Sequence, residues 1–252
     1  MAFENLRTQA QVGAGAYAAD IDEGLRKHML RVYNYMGSGL LVTGLVAWAM
    51  FSMSFVVQDG NVVGMTSLGA AIYGSPLKWV IMLAPLGFIM ALSMGVNKFS
   101  FGTLQLLFWA FAAIMGISMA TIFATFTAGS IARVFFITAS LFAAMSLWGY
   151  TTKRDLTGMG HFLFMGLIGI IIASVVNIFV GSTAVQFAVS VLGVLIFTGL
   201  TAYDTQRIKN DFLEYRAHGA AVGKLAIMGA VTLYLDFVNM FMMLLSLFGN
   251  RE

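Results

Sequence analysis

Seven long apolar runs, separated by short polar segments, constrain the fold of this chain more than any other feature of its sequence. About 20 residues with few charges are enough to cross the hydrocarbon layer of a bilayer as an α-helix. The chain is 60% hydrophobic and only 10% charged, whereas soluble domains carry about 25% charged residues. The sequence therefore predicts an all-α, polytopic membrane protein with seven transmembrane helices. The runs are 32–56, 77–95, 101–123, 129–150, 160–180, 185–206 and 225–248.

The first 29 residues contain no comparable apolar run and end in a cluster of mixed charges. We expect residues 1–29 to form a flexible cytoplasmic tail, with one helical turn near the membrane, and residues 30–252 to form the seven-helix transmembrane domain. The longest polar interruptions, 57–76 and 207–224, are expected to be loops.

The distribution of basic residues indicates the orientation. With a cytoplasmic N-terminus, eleven of the fourteen lysines and arginines lie on the cytoplasmic side, and only Lys78, Arg133 and Arg251 lie outside. Such an excess is what the positive-inside rule describes, so we expect a cytoplasmic N-terminus and an outside C-terminus. The basic residues form no patch, which argues against nucleic-acid binding. The absence of cysteine excludes thiol and disulfide chemistry.

Two acidic residues lie inside the predicted spans. Nine of the eleven acidic residues fall in tails or loops, whereas Asp204 lies in the sixth span and Asp236 in the seventh. A charged side chain at the centre of a membrane helix costs about 2.5–3.5 kcal/mol, so such residues are usually paired or functional. If the two face each other, they share a proton and titrate as a pair. We therefore predict a proton sensor or a cation site, the alternative being that each aspartate only pins helix packing.

Oxygen-bearing side chains accompany both aspartates. Thr232 and Asn239 lie on the same helical stripe as Asp236, and Thr201 precedes Asp204 by three residues. Such groups suit a hard cation such as Ca²⁺, so we predict a calcium site at the two aspartates with these three residues as a supporting polar face. The three histidines, His28, His161 and His218, are expected to be interfacial or loop residues, since they show no metal-ligand spacing.

Three segments of the chain are distinctive, namely TAYDTQ (201–206), LYLDFVNMF (233–241) and GYTTKRDL (149–156). These segments resemble the Bax inhibitor-1 family, also called the transmembrane BAX inhibitor motif family, and its bacterial inner-membrane members in particular. The resemblance covers residues 30–250. It implies seven helices in the inner membrane and an aspartate pair that senses pH and gates a calcium leak, here Asp204 and Asp236. Some relatives pair these aspartates with an arginine near the cytoplasmic end of the second span, where this chain offers only Lys98.

The expected function is thus a pH-sensitive calcium or cation leak channel of the bacterial inner membrane, not an enzyme, with no cofactor and with Ca²⁺ as the permeant ion. The alternative is a non-catalytic membrane partner that modulates a membrane-bound protease. An intramembrane aspartyl protease is disfavoured, because the Gly-x-Gly-Asp half of that signature is missing before Asp236.

Overall fold

The computed structural model describes residues 2–58, 60–216 and 219–250, and the side chains of 21–58, 60–216 and 222–250. Within these ranges the chain is almost entirely helical. A 3₁₀ turn, Ala120–Ile122, extends α4. The α-helices are α1 (Ala2–Ser54), α2 (Ser67–Tyr73), α3 (Leu77–Gly95), α4 (Phe101–Met119), α5 (Ala128–Thr151), α6 (Thr157–Val180), α7 (Thr183–Tyr215) and α8 (Gly219–Phe248).

Seven segments in the described part of the chain are long and apolar enough to cross a membrane, which confirms the predicted all-α, seven-span fold. The first segment, which begins at Ile21, and the sixth, which ends at Tyr215, extend farthest beyond their predicted apolar runs. The segments are Ile21–Ser54, Leu77–Gly95, Phe101–Ile122, Ala128–Thr151, Thr157–Val180, Thr183–Tyr215 and Val222–Phe248.

The last helix, α8, lies at the centre of the bundle. More than half of the residues in its most apolar stretch are buried inside the bundle, whereas at most a third are buried in the corresponding stretch of any other span. It packs against α7, α1 and α5, and less extensively against α4 and α3, while α6 packs on α7 and α3 packs on α4. Seven described α8 residues have no exposed surface, namely Ala226, Ile227, Ala230, Leu233, Tyr234, Met240 and Leu245.

Small residues allow the helices around α8 to approach closely. A Cβ atom at Gly149 on α5 would meet the backbone of Ala202 on α7. One at Gly116 on α4 would lie 2.7 Å from the carbonyl oxygen of Thr43 on α1. Since apolar side chains gain nothing from leaving lipid, such close backbone packing is a main source of attraction between membrane helices.

The N-terminal region differs from the expected flexible tail. Helix α1 runs without a break from Ala2, and its residues next to the apolar run pack against the far end of α7. A Cβ atom at Gly24 would lie 3.3 Å from the Phe212 ring, and Leu25 and Met29 are buried. Helix α1 is thus continuous across residue 30, and the packing that begins at Gly24 continues along it.

Both long polar interruptions are also more ordered than expected. Residues 57–76 include most of an antiparallel hairpin, β1 (Phe55–Gln58) and β2 (Asn61–Met65), followed by α2. The hairpin turn uses Gly60 at a φ of +84°, a conformation that glycine adopts without steric cost. The charged stretch 207–224 is helical in its described residues except at Arg216, since it contains the end of α7 and the start of α8.

Candidate functional site

The structure brings the two intramembrane aspartates together. Asp204 on α7 and Asp236 on α8 adjoin, and their carboxyl groups are within hydrogen-bonding reach of each other. Both residues are buried, with 6% and 5% of their surface exposed. The pairing follows from the packing of α7 along α8, which is the most extensive helix contact in the bundle.

The pair has an unsatisfied oxygen. No N–H or O–H group in the described residues donates to the buried Oδ2 atom of Asp236. Ionised carboxylates only accept hydrogen bonds, so a bond between two carboxyl groups requires a proton. Like charges at low dielectric also disfavour two ionised groups side by side. The geometry therefore suits one proton, or one cation, held between Asp204 and Asp236.

Arg207 is the basic partner of the pair. Its Nη1 atom lies 3.3 Å from Oδ1 of Asp204, one turn earlier on α7. The arginine side chain is half exposed while the aspartate side chain is buried, so the ion pair joins the site to the surface. Lys98, the one candidate cation that the sequence offered near the end of the second span, forms no ion pair with either aspartate in the described structure. The i, i+3 spacing of Asp204 and Arg207 was the sequence signal for this contact.

A cavity of about 880 Å³ adjoins the aspartates. Residues of α7 and α8 form its floor, and residues of α3 and α6 form its sides. Most of the walls are apolar. The polar side chains that line it include Asp204, Asp236, Arg207, His161, Thr232 and Asn239.

The predicted polar face is brought only partly to this cavity. Thr232 and Asn239 line it, and their side chains donate to the Met228 and Leu235 carbonyls of their own helix. The Asn239 amide oxygen therefore remains available as an acceptor. Thr201 is fully buried outside the cavity lining and donates to the Phe197 carbonyl at 2.8 Å.

A high-affinity calcium cage is absent from the described residues, which contain no group of three or more acidic, histidine or cysteine side chains able to hold a metal ion. Ca²⁺ in proteins takes six to eight oxygen ligands. Asp204, Asp236 and the Asn239 oxygen offer fewer, so an ion at this point would keep much of its water. Such a site suits brief occupancy.

The three histidines differ in their surroundings. His28 is buried and stacked on Phe212 with ring centroids 4.9 Å apart, and neither ring nitrogen has a hydrogen-bond partner among the described residues. The expectation of an interfacial or loop residue was therefore wrong for His28, because α1 continues as a packed helix below its apolar run. His161 lines the cavity at the start of α6. His218 lies outside the described residues.

A buried chain of hydroxyl groups lies beside the pair and was not anticipated from the sequence. The Tyr33 hydroxyl on α1 is 2.6 Å from Oγ of Ser146 on α5, which is 2.9 Å from Oγ1 of Thr205 on α7. Thr205 follows Asp204 directly, so these hydrogen bonds between hydroxyl groups fix the rotation of α7 relative to α1 and α5. No signal in the sequence indicated this contact, because the three hydroxyl groups lie in three separate apolar runs and meet only when the helices pack.

The fold and the site define a polytopic α-helical membrane protein with a buried acidic pair between its last two spans. A family model described as "Inhibitor of apoptosis-promoting Bax1" matches residues 25–252. The chain therefore belongs to the Bax inhibitor-1 family, as its aspartate segments suggested.

Bacterial relatives match this chain over most of its length. Protein RP147 of Rickettsia prowazekii is 46% identical over 92% of each chain, and a protein of Caulobacter vibrioides is 44% identical over 92% of each chain. The inner membrane protein YbhL of Escherichia coli K12 is 43% identical, over 91% of this chain and 94% of YbhL.

Proposed function

We propose that this protein is a pH-sensitive calcium or cation leak channel of the bacterial inner membrane, with Asp204 and Asp236 as its sensor. The observation that carries the proposal is the contact between the two carboxyl groups inside the membrane-spanning bundle. The relative YbhL of Escherichia coli, which is named as an inner membrane protein, supports the location.

Protons and cations would compete for the same negative charge. When one proton bridges the carboxyl groups, the Arg207 guanidinium balances the remaining charge and the site offers a cation little attraction. When the proton leaves, a second negative charge appears at the cavity wall and attracts a cation. The sparse oxygen ligands favour passage over storage, since conduction requires binding that is weak enough to release the ion.

An aspartyl hydrolase would also need two adjacent carboxyl groups, but the surroundings argue for a non-catalytic role. Leu233, Tyr234 and Leu235, which precede Asp236, are helical, and the first two are fully buried. A scissile peptide bond would have to reach Asp236 through this packed helix. A hydrated ion, which needs no extended backbone, fits the cavity more readily.

The test is calcium flux into liposomes that contain the purified protein and an enclosed calcium dye, measured across pH. We expect Asp204→Asn and Asp236→Asn each to flatten the pH response. The double variant should add little to either single change, because groups that act as a unit are non-additive. Asp22→Asn removes the same charge at an exposed position on α1 and should leave the curve unchanged. Independent, additive shifts from the two aspartates would contradict the proposal.

A further inference from the structure

The cavity beside the aspartates is also a groove in the side of the bundle. Its α6 wall extends from Gly160 to Ile178, which at 1.5 Å per residue is about 27 Å. The hydrocarbon layer is about 30 Å thick. Several rim residues are exposed apolar side chains, with Phe164 at 58% and Ile178 at 78% exposure. The groove therefore runs along most of the bilayer and faces the lipid chains.

The sides of the groove do not close on each other. Helix α6 packs on α7, and α3 packs on α4 and α8, but α3 and α6 do not form a packed pair in the described structure. Leu86 and Ile89 on α3 face the cavity from one side, and Phe164 and Ile171 on α6 face it from the other. A molecule dissolved in the membrane can thus enter sideways between α3 and α6.

The carboxyl group of Asp236 lies at the floor of this apolar groove. Asp236 lines the cavity, is 5% exposed, and has an Oδ2 atom that receives no hydrogen bond from the described residues. An unsatisfied acceptor buried in this way is destabilising, and more so if it is charged. Arg207 pairs with Asp204, but no positively charged donor among the described residues bonds to Oδ2 of Asp236.

From this combination we infer that the groove binds a single-chain alkyl amine, with its ammonium group on Asp236 and Asp204 and its chain along the walls of α3 and α6. A primary ammonium has three donors and no acceptor, so it supplies both the missing hydrogen bond and the charge of the shared proton that it replaces. The cavity volume of about 880 Å³ lies within the usual range of ligand pockets, about 300–1,000 Å³.

The charge of the carboxyl pair makes other membrane-soluble molecules poorer ligands of the groove than an alkyl amine. A fatty acid would bring a third carboxylate to the pair. A neutral alcohol or a lipid acyl chain would leave the charge of the ionised pair unbalanced, and its chain would gain little, since lipid is as apolar as the groove. Among the described residues, the other charged or titratable groups that act on the pair or line the cavity are Arg207, Asp211 and Tyr203 on α7 and His161 on α6.

The inference shares the carboxyl pair with the proposed channel, and rests on the proposed function only for its consequence that a bound amine blocks calcium flux. Binding itself depends on the groove and on Asp236. The measurement below therefore detects the amine directly and does not use flux.

The experiment measures radiolabelled dodecylamine retained by phosphatidylcholine nanodiscs that contain the full chain, relative to empty nanodiscs, at pH 8. An alkyl ammonium, with a pKa near that of lysine at about 10.4, is charged there. We expect saturable binding of one amine per chain, displaced by unlabelled dodecylamine but not by dodecanol or dodecanoate. Asp236→Asn should weaken binding roughly thirtyfold or more, as expected for loss of one partner of a buried charge pair. Asp22→Asn should bind normally.

A second variant tests the chain site without touching the carboxyl groups. Val175→Trp places a large ring on the α6 wall of the groove and should also lower the affinity, while thermal unfolding in detergent checks that both variants fold. Equal displacement by dodecanol, unchanged binding in both variants, or no saturable binding would each overturn the inference. If the amine binds but calcium flux shows no pH response, the channel proposal fails and the amine site stands.

Discussion

The charge balance of the aspartate pair depends on the Arg207 side chain, whose guanidinium lies 3.3 Å from Asp204. A neighbouring positive charge favours the ionised form of a carboxyl group. Without it the pair holds its proton more tightly, so we expect Arg207→Gln to move the midpoint of the pH–flux curve to higher pH. The shift should be about one pH unit or less, because the arginine is half exposed and water screens it.

The matched control is Lys153→Gln, which removes one positive charge from the same predicted side of the membrane, in the turn between α5 and α6. This variant should leave the midpoint unchanged. Equal shifts in both variants would mean that general surface charge, and not the Arg207–Asp204 contact, sets the response.

At the scale of the helices, the crossing of α5 and α7 depends on one missing side chain. A Cβ atom at Gly149 would meet the backbone of Ala202, and backbone cannot move aside as a flexible side chain can. We expect Gly149→Ala to destabilise the protein by about 1–3 kcal/mol, the usual cost of overpacking. Thermal unfolding in detergent measures the effect.

Gly129→Ala on the same helix provides the comparison, since nothing lies within 4 Å of a Cβ atom there. Alanine is the better helix former by about 1 kcal/mol, so this variant should be as stable as the native protein or more stable. Comparable losses at both glycines would show that α5 tolerates no added methyl group, whatever its neighbours.

For the whole molecule, seven spans place the two ends of the chain on opposite sides of the membrane. With the basic residues concentrated on one side, we expect the N-terminus in the cytoplasm and the C-terminus outside. Alkaline phosphatase fused after Glu252 should be active, and a fluorescent protein fused there should be dark. The same reporters inserted at residue 153, in the predicted cytoplasmic turn, should give the opposite pattern. A fluorescent C-terminal fusion would contradict this orientation.

The amino-acid sequence was sufficient for the seven spans, because hydrocarbon excludes charge and each run must be long enough to cross it. It also singled out Asp204 and Asp236, since these are the two acids in the apolar runs and each is costly to leave alone. It underestimated the helices outside the membrane. The charged end of α7 and the first residues of α1 carry no long apolar run, so hydropathy alone suggested a loop and a tail.

Which side of each helix faces its neighbours was decided only by the tertiary structure. Lipid is as apolar as the interior of the bundle, so hydropathy does not distinguish a lipid-facing residue from a core residue. For that reason the sequence placed Thr201 with the aspartates, although it is buried elsewhere, and left His28 at the interface, although it is stacked on Phe212. The contact of Asp204 with Asp236 on α8 depends on the rotation of α7, which close packing against α5 and α8 determines.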